Sequence, residues 1–230
     1  MAPDLPNKLR GRPNEALDVR VSKTLSYILR HGAAKESLVM RADGYVKVTE
    51  LLARPMMKSV DFTMIQKIVA DNAKQRFSLK FEPANGVEKE DGIWWIRANQ
   101  GHSIKVDSLE LEEIKSAEEI PVAIHGTSNK AWESVAKEGL SRMYRNHIHL
   151  ASGLPSDEGV ISGMRSGAEV LIYIDTTKAM AAGYRFFRSA NGVILSDGDE
   201  RGFIPPEYFA HIEFKARRER KCGVSVPNQE

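Results

Sequence analysis

Apolar residues recur at helical spacing near the start of the chain and at alternating spacing further on, and the change in rhythm outlines the elements. Val21, Leu25, Ile28 and Leu29 predict a helix, with Asp18 as its N-cap and Gly32 as its stop. Asp43-Gly44-Tyr45 reads as a turn into a short strand, Tyr45 to Val48, followed by a short helix, Thr49 to Ala53, that ends near Pro55. Asp61 is placed to cap another helix whose buried face carries Ile65, Ile68 and Val69. Arg76 to Phe81 alternates as a strand, Glu82 to Gly92 is a polar hairpin loop, and Ile93 to Ala98 returns as the partner strand. After residue 119 the rhythm shortens. Val122 to Thr127 is a strand and turn, Lys130 to Glu138 a helix stopped by Gly139, and Ile148–Ala151, Val170–Ile174 and Gly192–Leu195 are short strands. Ile204 to Tyr208 is a turn before a last strand, Phe209 to Phe214.

Helix, short strand, two helices and a hairpin follow the order of a winged-helix module, and many short strands with few helices suggest a split β-sheet domain. The expected class is therefore α+β. The expected division is a disordered basic arm over 1–14, a winged-helix lobe over 15–106, an acidic linker over 107–119, a second lobe over 120–215 and a basic tail over 216–230.

Composition changes little. The chain has 230 residues, is 42% hydrophobic and carries a net charge of +2, ordinary values for a globular protein and too mild to demand a nucleic-acid partner. Cationic residues crowd both ends, where Lys8, Arg10, Arg12, Lys215, Arg217 and Arg218 would stay solvated or add non-specific RNA affinity. One cysteine, Cys222, excludes an internal disulfide and a cysteine zinc site. The sequence shows no apolar stretch of bilayer-crossing length and no signal-peptide core at Met1–Pro13, which leads to an intracellular expectation, cytoplasmic or nuclear, with no membrane partner.

The chemistry concentrates in two runs, Leu29-Arg30-His31 and Tyr144-Arg145-Asn146-His147-Ile148-His149-Leu150. Arginine offers a planar, permanently charged fork for phosphate oxygens, and histidine adds a donor or a proton near neutrality. Together the runs suggest one composite phosphate site. His125 and Thr127 fall on one face of a strand end, where they could bond a ribose or amide or simply be satisfied in the sheet. His147 and His149 share a face that could hold a metal, but nothing completes a ligand set, so no metal is expected. Gly159 to Gly167 is a small-residue loop carrying Arg165 near its end, suited to phosphate or to plain connection. Gln75-Arg76-Phe77 and Gln100-Gly101-His102-Ser103 flank the hairpin, where ordinary turn polarity is the alternative.

These segments, with Ser22 to His31, Asp43-Gly44-Tyr45, Lys74 to Phe77 and Val160 to Arg165, resemble the NAD-dependent tRNA 2′-phosphotransferase family in content and order. The resemblance implies a winged-helix lobe followed by an ADP-ribosyltransferase-like lobe. It implies that an internal RNA 2′-phosphate attacks the nicotinamide ribose of NAD, expelling nicotinamide. The ADP-ribosylated intermediate then resolves into 2′-hydroxyl RNA and ADP-ribose 1″,2″-cyclic phosphate. The family's essential tetrad falls on Arg30, His31, Arg76 and Arg145. Its transferase signature falls on His125, His149 and Val193, with further NAD contacts expected at His102, Gly126, Thr127, Ser162, Gly163 and Arg165. The implied partners are NAD and 2′-phosphorylated tRNA, and the expected state is a monomer. The competing readings are a one-step ADP-ribosyltransferase acting on nucleic-acid phosphates or proteins, an RNA-binding module with a decayed NAD lobe, and a DNA-reading winged helix. Against the last, residues 61–72 carry only Lys67 as a cation.

Overall fold

A computed structural model describes residues 9–83, 92–106, 108–154, 157, 160, 164 and 167–215. The arm over 1–8, most of the hairpin loop, the tail over 216–230, and Ser162, Gly163 and Arg165 lie outside the described residues.

The N-terminal half opens with α1 (Leu17–Tyr27), whose Val21 and Leu25 are fully buried as their spacing requires. Asp18 is not its N-cap. The helix starts after Ala16 with no side-chain cap, and Asp18 sits in the first turn, where its carboxylate accepts from the Val19 amide. Nor does α1 run on to Gly32 as an α-helix: Ile28–Gly32 form a π-helical turn that carries Arg30 and His31. The expected strand Tyr45–Val48 shrinks to β1 (Val46–Lys47), because Val48 already begins α2 (Val48–Leu52). A 3-10 turn over Pro55–Met57 leads to α3 (Phe62–Ala70), capped as expected by Asp61, whose side chain accepts from the Met64 amide at 2.8 Å.

β2 (Phe77–Pro83) and β3 (Gly92–Ala98) pair antiparallel from Phe77 opposite Ala98 to Pro83 opposite Gly92, so Glu82 and Pro83 belong to the ladder rather than to the loop. The sheet order is β1-β3-β2. Its inner face, Phe77 and Ile96, closes on Val21, Leu25, Ile28, Leu51 and Ile65 as one core.

The acidic stretch expected as a linker contains β4 (Leu111–Ile114), which pairs with β9 (Phe186–Ser189). Its acidity is cross-strand complementarity. Glu113 meets Arg185 at 3.0 Å and Glu112 meets Arg188 at 3.5 Å, while Ile114 is buried. β4 is the edge of a four-stranded sheet ordered β4-β9-β10-β7, where β7 is Ile148–Leu150 and β10 is Ile194–Ser196. A second sheet joins β12 (Phe209–Phe214), β8 (Val170–Ile174) and β5 (Ile124–Thr127), and a bridge between Ile124 and Ala151 ties it to the end of β7. β6 (Leu140–Ser141) pairs with β11 (Phe203–Ile204). α4 (Asn129–Glu138) is capped by Ser128 and stops at Gly139, whose φ of 96° suits glycine. α5 (Thr176–Ala181) is capped by Asp175. Ile148, Leu150, Ile172, Phe186 and Ile194 form the main core of this half. The class is α+β, with several small antiparallel sheets.

Direct hydrogen bonds join the halves. The Asn146 amide donates to the His102 carbonyl at 3.0 Å and its carboxamide to the Ile104 carbonyl at 3.1 Å. Asn191 donates to the Lys74 carbonyl at 2.9 Å, and Lys74 Nζ donates to the Met164 carbonyl at 2.8 Å.

Candidate active site

The π-helical turn ends α1 at the seam between the halves. The Ser103 and Ile104 amides donate to the Arg30 carbonyl at 2.9 and 3.4 Å, and Ser103 Oγ lies 2.8 Å from His31 Nδ1. Gly101, at φ 87°, turns the chain so that its backbone lies against the Arg30 guanidinium. One short strap, residues 101–104, thus holds Arg30 and His31 on one side and Asn146, beside Arg145, on the other.

Arg76 stands just before β2. Asn72 Oδ1 accepts from its Nη1 at 3.2 Å and from its amide at 3.3 Å. Its carbonyl accepts from the Asn99 amide, and the Asn99 carboxamide donates to the carbonyl of Gln75, which adopts φ 40°. Arg145 comes from the exposed loop after β6, where its amide donates to the Arg142 carbonyl.

The electrostatics of this seam are one-sided. Burial, then the Arg76 and Arg145 charges, push the Arg30 guanidinium down to about 10, so it is still charged at neutral pH. Its Nε and Nη2 are buried and carry no hydrogen bond. His31 is lowered by burial and then by Arg30, Arg145 and Arg10. Among the described residues the charges named as acting on either group are all cationic. A buried cation facing other cations with unfilled donors is arranged for an anion.

Five of the six histidines gather here; the sixth, His211, stacks on Tyr173 at 3.9 Å. His149, on β7, is pushed down to about 3, first by burial and then by Arg145, His147, Arg30 and His125, and its buried Nε2 has no hydrogen-bond partner. His125 Nδ1 donates to the His149 carbonyl at 3.0 Å, which fixes its tautomer and places Thr127 two residues along the same strand. His147 Nε2 lies 3.3 Å from Asp197, but burial outweighs that carboxylate and lowers the imidazole. Among the described residues no group of three or more His, Cys, Asp or Glu is placed to hold a metal.

The expected residues thus fall into distinct places. Arg30, His31, Arg76 and Arg145 converge, and His125, Thr127 and His149 adjoin them. His102 is 2% exposed, and burial pushes its imidazole down to about 4; it packs against the cationic cluster from inside rather than lining a cleft. Val193 is 1% exposed, its amide and carbonyl both bonded to the Ser189 hydroxyl. Gly126 admits Met164, whose Cγ would stand 2.3 Å from a Cβ at that position. Four contributors have no role in the sequence analysis, although Ser103, Asn146 and Lys74 lie within runs it singles out: Ser103 against His31, Asn146 as the link, Asn72 behind Arg76, and Lys74, lowered by burial and Arg76. Lys74 had a signal in its spacing, two residues before Arg76. The other three are small polar residues whose partners are distant in sequence or hidden by local turn geometry.

Comparison with known proteins follows the same outline. The sequence model described as "RNA 2'-phosphotransferase, Tpt1 / KptA family" matches residues 16–198. The chain is 49% identical over 209 residues to tRNA 2'-phosphotransferase 1 of Danio rerio, covering 89% of this chain and 90% of that protein. It is 48% identical over 201 residues to tRNA 2'-phosphotransferase 1 of Homo sapiens, covering 86% and 77%. It is 41% identical over 207 residues to tRNA 2'-phosphotransferase of Saccharomyces cerevisiae, covering 86% and 84%. With the match spanning the tetrad, the histidine cluster and both halves, this chain belongs to the RNA 2'-phosphotransferase (Tpt1 / KptA) family.

Proposed function

We propose that this chain removes the splice-junction 2′-phosphate from ligated tRNA by transferring it to NAD, leaving a 2′-hydroxyl, ADP-ribose 1″,2″-cyclic phosphate and nicotinamide. The observation that carries the reading is the buried Arg30 fork, unpartnered at Nε and Nη2 and faced by Arg76 and Arg145. In this reading the N-terminal half is a winged-helix RNA lobe and the C-terminal half an ADP-ribosyltransferase-like lobe.

NAD supplies the acceptor ribose, from which nicotinamide leaves as the phosphate bonds and whose neighbouring hydroxyl then releases the RNA 2′-oxygen. The residues present suit it: the unpartnered buried Nε2 of His149 and the fixed tautomer of His125 offer directed polar contacts to a ribose or amide, beside Thr127. Arg30, His31 and Arg76 hold the RNA phosphate. Arg145 stabilises the charge that develops when the phosphate leaves the RNA. A phosphate dianion is a competent nucleophile without a general base, so the protein's task is to relieve its repulsion by the NAD pyrophosphate and fix its line of approach. No step calls on a metal.

An RNA carrying one labelled internal 2′-phosphate, incubated with and without NAD in EDTA, tests this. The expected outcome is label in a small cyclic phosphate only with NAD. Label held on an enlarged RNA would instead indicate a one-step ADP-ribosyltransferase. Activity lost in EDTA and restored by a divalent ion would overturn the metal-free assignment.

A further inference from the structure

Residues 9–15 fold back along α1. Leu9 packs against the N-terminal core, the Arg10 amide donates to the Thr24 hydroxyl at 2.8 Å, and Gly11 lies at φ 107° beside the Arg20 and Lys23 side chains. Thr24 is fully buried, and its hydroxyl donates in turn to the Arg20 carbonyl at 2.8 Å, so the anchor is fully satisfied. Glu15 closes the fold-back by accepting from the Arg12 amide at 3.0 Å and pairing with Lys23 at 2.5 Å.

This path sets the Arg10 guanidinium over the Tyr27 ring, 3.7 Å from its centre. The same ring lies against Gly32, where a Cβ would stand 2.7 Å from Tyr27 Cε1 and 2.9 Å from Cζ. One side chain therefore touches both the N-terminal arm and the last residue of the π-helical turn. We propose that Arg10 is a positioning residue for the reaction: through Tyr27 and Gly32 it holds the π-helical turn in the register that aims Arg30 and His31. The inference rests on the functional reading above.

The spacing shows what is being held. Tyr27 and Gly32 are five residues apart, the interval across which a π-helical turn closes its hydrogen bonds. In an α-helix residues four apart share a face, so relaxation to α-helical spacing would bring His31 onto the Tyr27 ring in place of Gly32. That rotation would carry His31 away from Ser103 Oγ, 2.8 Å from its Nδ1. Glycine lets the ring lie flush on the turn, and Arg10 covers the ring from the arm. The arm's charge also reaches the site: burial lowers the His31 imidazole first, and Arg30, Arg145 and Arg10 lower it further. A cation added to a cationic cluster is unfavourable in the empty protein, and the ring face with the Thr24 anchor keeps it in place.

The test is steady-state kinetics on an RNA with one internal 2′-phosphate, varying RNA and NAD separately. Arg10→Ala keeps the Leu9 packing and the amide bond to Thr24 and removes the contact on the ring. It should lower kcat about tenfold with both KM values within about twofold of wild type, since misplacing a catalytic group by a fraction of an ångström costs rate rather than binding. Arg10→Lys, which can still set a cation on the ring face, should recover most of that loss. Tyr27→Leu removes the middle of the relay and should lower kcat by a similar factor, and the double variant Arg10→Ala/Tyr27→Leu should lose no more than either single variant. The two Arg10 variants, on an exposed position, decide the matter even if Tyr27→Leu fails to fold. A rise in RNA KM alone would make Arg10 a substrate contact, and a lowered Tm with wild-type kcat would make the arm a stabilising clasp. Either result, wild-type kinetics in Arg10→Ala, or additive losses in the double variant would overturn the relay while leaving the activity intact. A wild-type protein that transfers no phosphate from this RNA to NAD would overturn the functional reading and the relay with it.

Discussion

Arg30 is held at a cost to the empty protein, as the proposed phosphate-holding role would require. Burial and two neighbouring arginines oppose its charge, and nothing in the fold repays its Nε and Nη2. Arg30→Ala should therefore lower kcat/KM by about 2–4 kcal/mol in barrier, comparable with losing an oxyanion donor, without lowering Tm. Phosphate should raise the Tm of the wild-type protein and not of the variant. A variant that unfolds more readily and keeps its activity would make Arg30 structural. The histidines give a second handle. His102 and His149 are neutral in the folded protein, at about 4 and about 3, against an ordinary value near 6.5. The unfolded chain binds their protons first, so their contribution is full above pH 6.5 and drains as pH falls towards 4. Urea midpoints measured from pH 7 to pH 4 should fall, and His102→Asn should flatten that fall.

Among the elements, the π-helical turn is the one that matters most for the site. It carries Arg30 and His31, and such turns recur where function re-aims side chains. The strap over 101–104 meets it by two backbone bonds and by Ser103 Oγ on His31. Gly139 shows the same dependence on backbone freedom elsewhere. It ends α4 at φ 96°, and a Cβ there would stand 2.4 Å from the Ile204 carbonyl. Gly139→Ala should cost about 1–3 kcal/mol in a denaturant titration, by strain at a left-handed position. A midpoint equal to that of the wild-type protein would show that the α4–β11 junction yields freely. The sequence placed α3, α4, β8 and β12 well, because each is bounded by a cap, a glycine or a proline. It missed α5, β4, β6, β9 and β11; the strands among them are defined by partners far along the chain, β6 by β11 and β4 by β9, rather than by a local pattern.

Across the molecule, Arg145 comes near Arg30 and His31 only because the halves are docked. Asn146 donates twice into the 101–104 strap, and Asn191 and Lys74 hold the other side of the seam. Asn146→Ala removes only the carboxamide bond to Ile104, yet it loosens the register between Arg30 and Arg145. It should lower kcat more than it raises the KM of either substrate, since alignment matters more than binding to the chemical step. A pure KM effect would place Asn146 in substrate binding instead.

The amino-acid sequence by itself determined α1, α3 and α4, the alternating strands β2 and β3, the α+β class, and the residue types that chemistry at a phosphate requires. These are local or compositional properties, written in spacing and side-chain charge. Only the tertiary structure decided that the acidic stretch is a sheet edge, because its glutamates are answered by Arg185 and Arg188 on β9, more than 70 positions away. It likewise decided that His102 is buried while His125 and His149 adjoin the cations, and that Asn146 joins the halves. Burial and long-range pairing depend on which surfaces meet, and that follows from packing the whole chain rather than from any window of it.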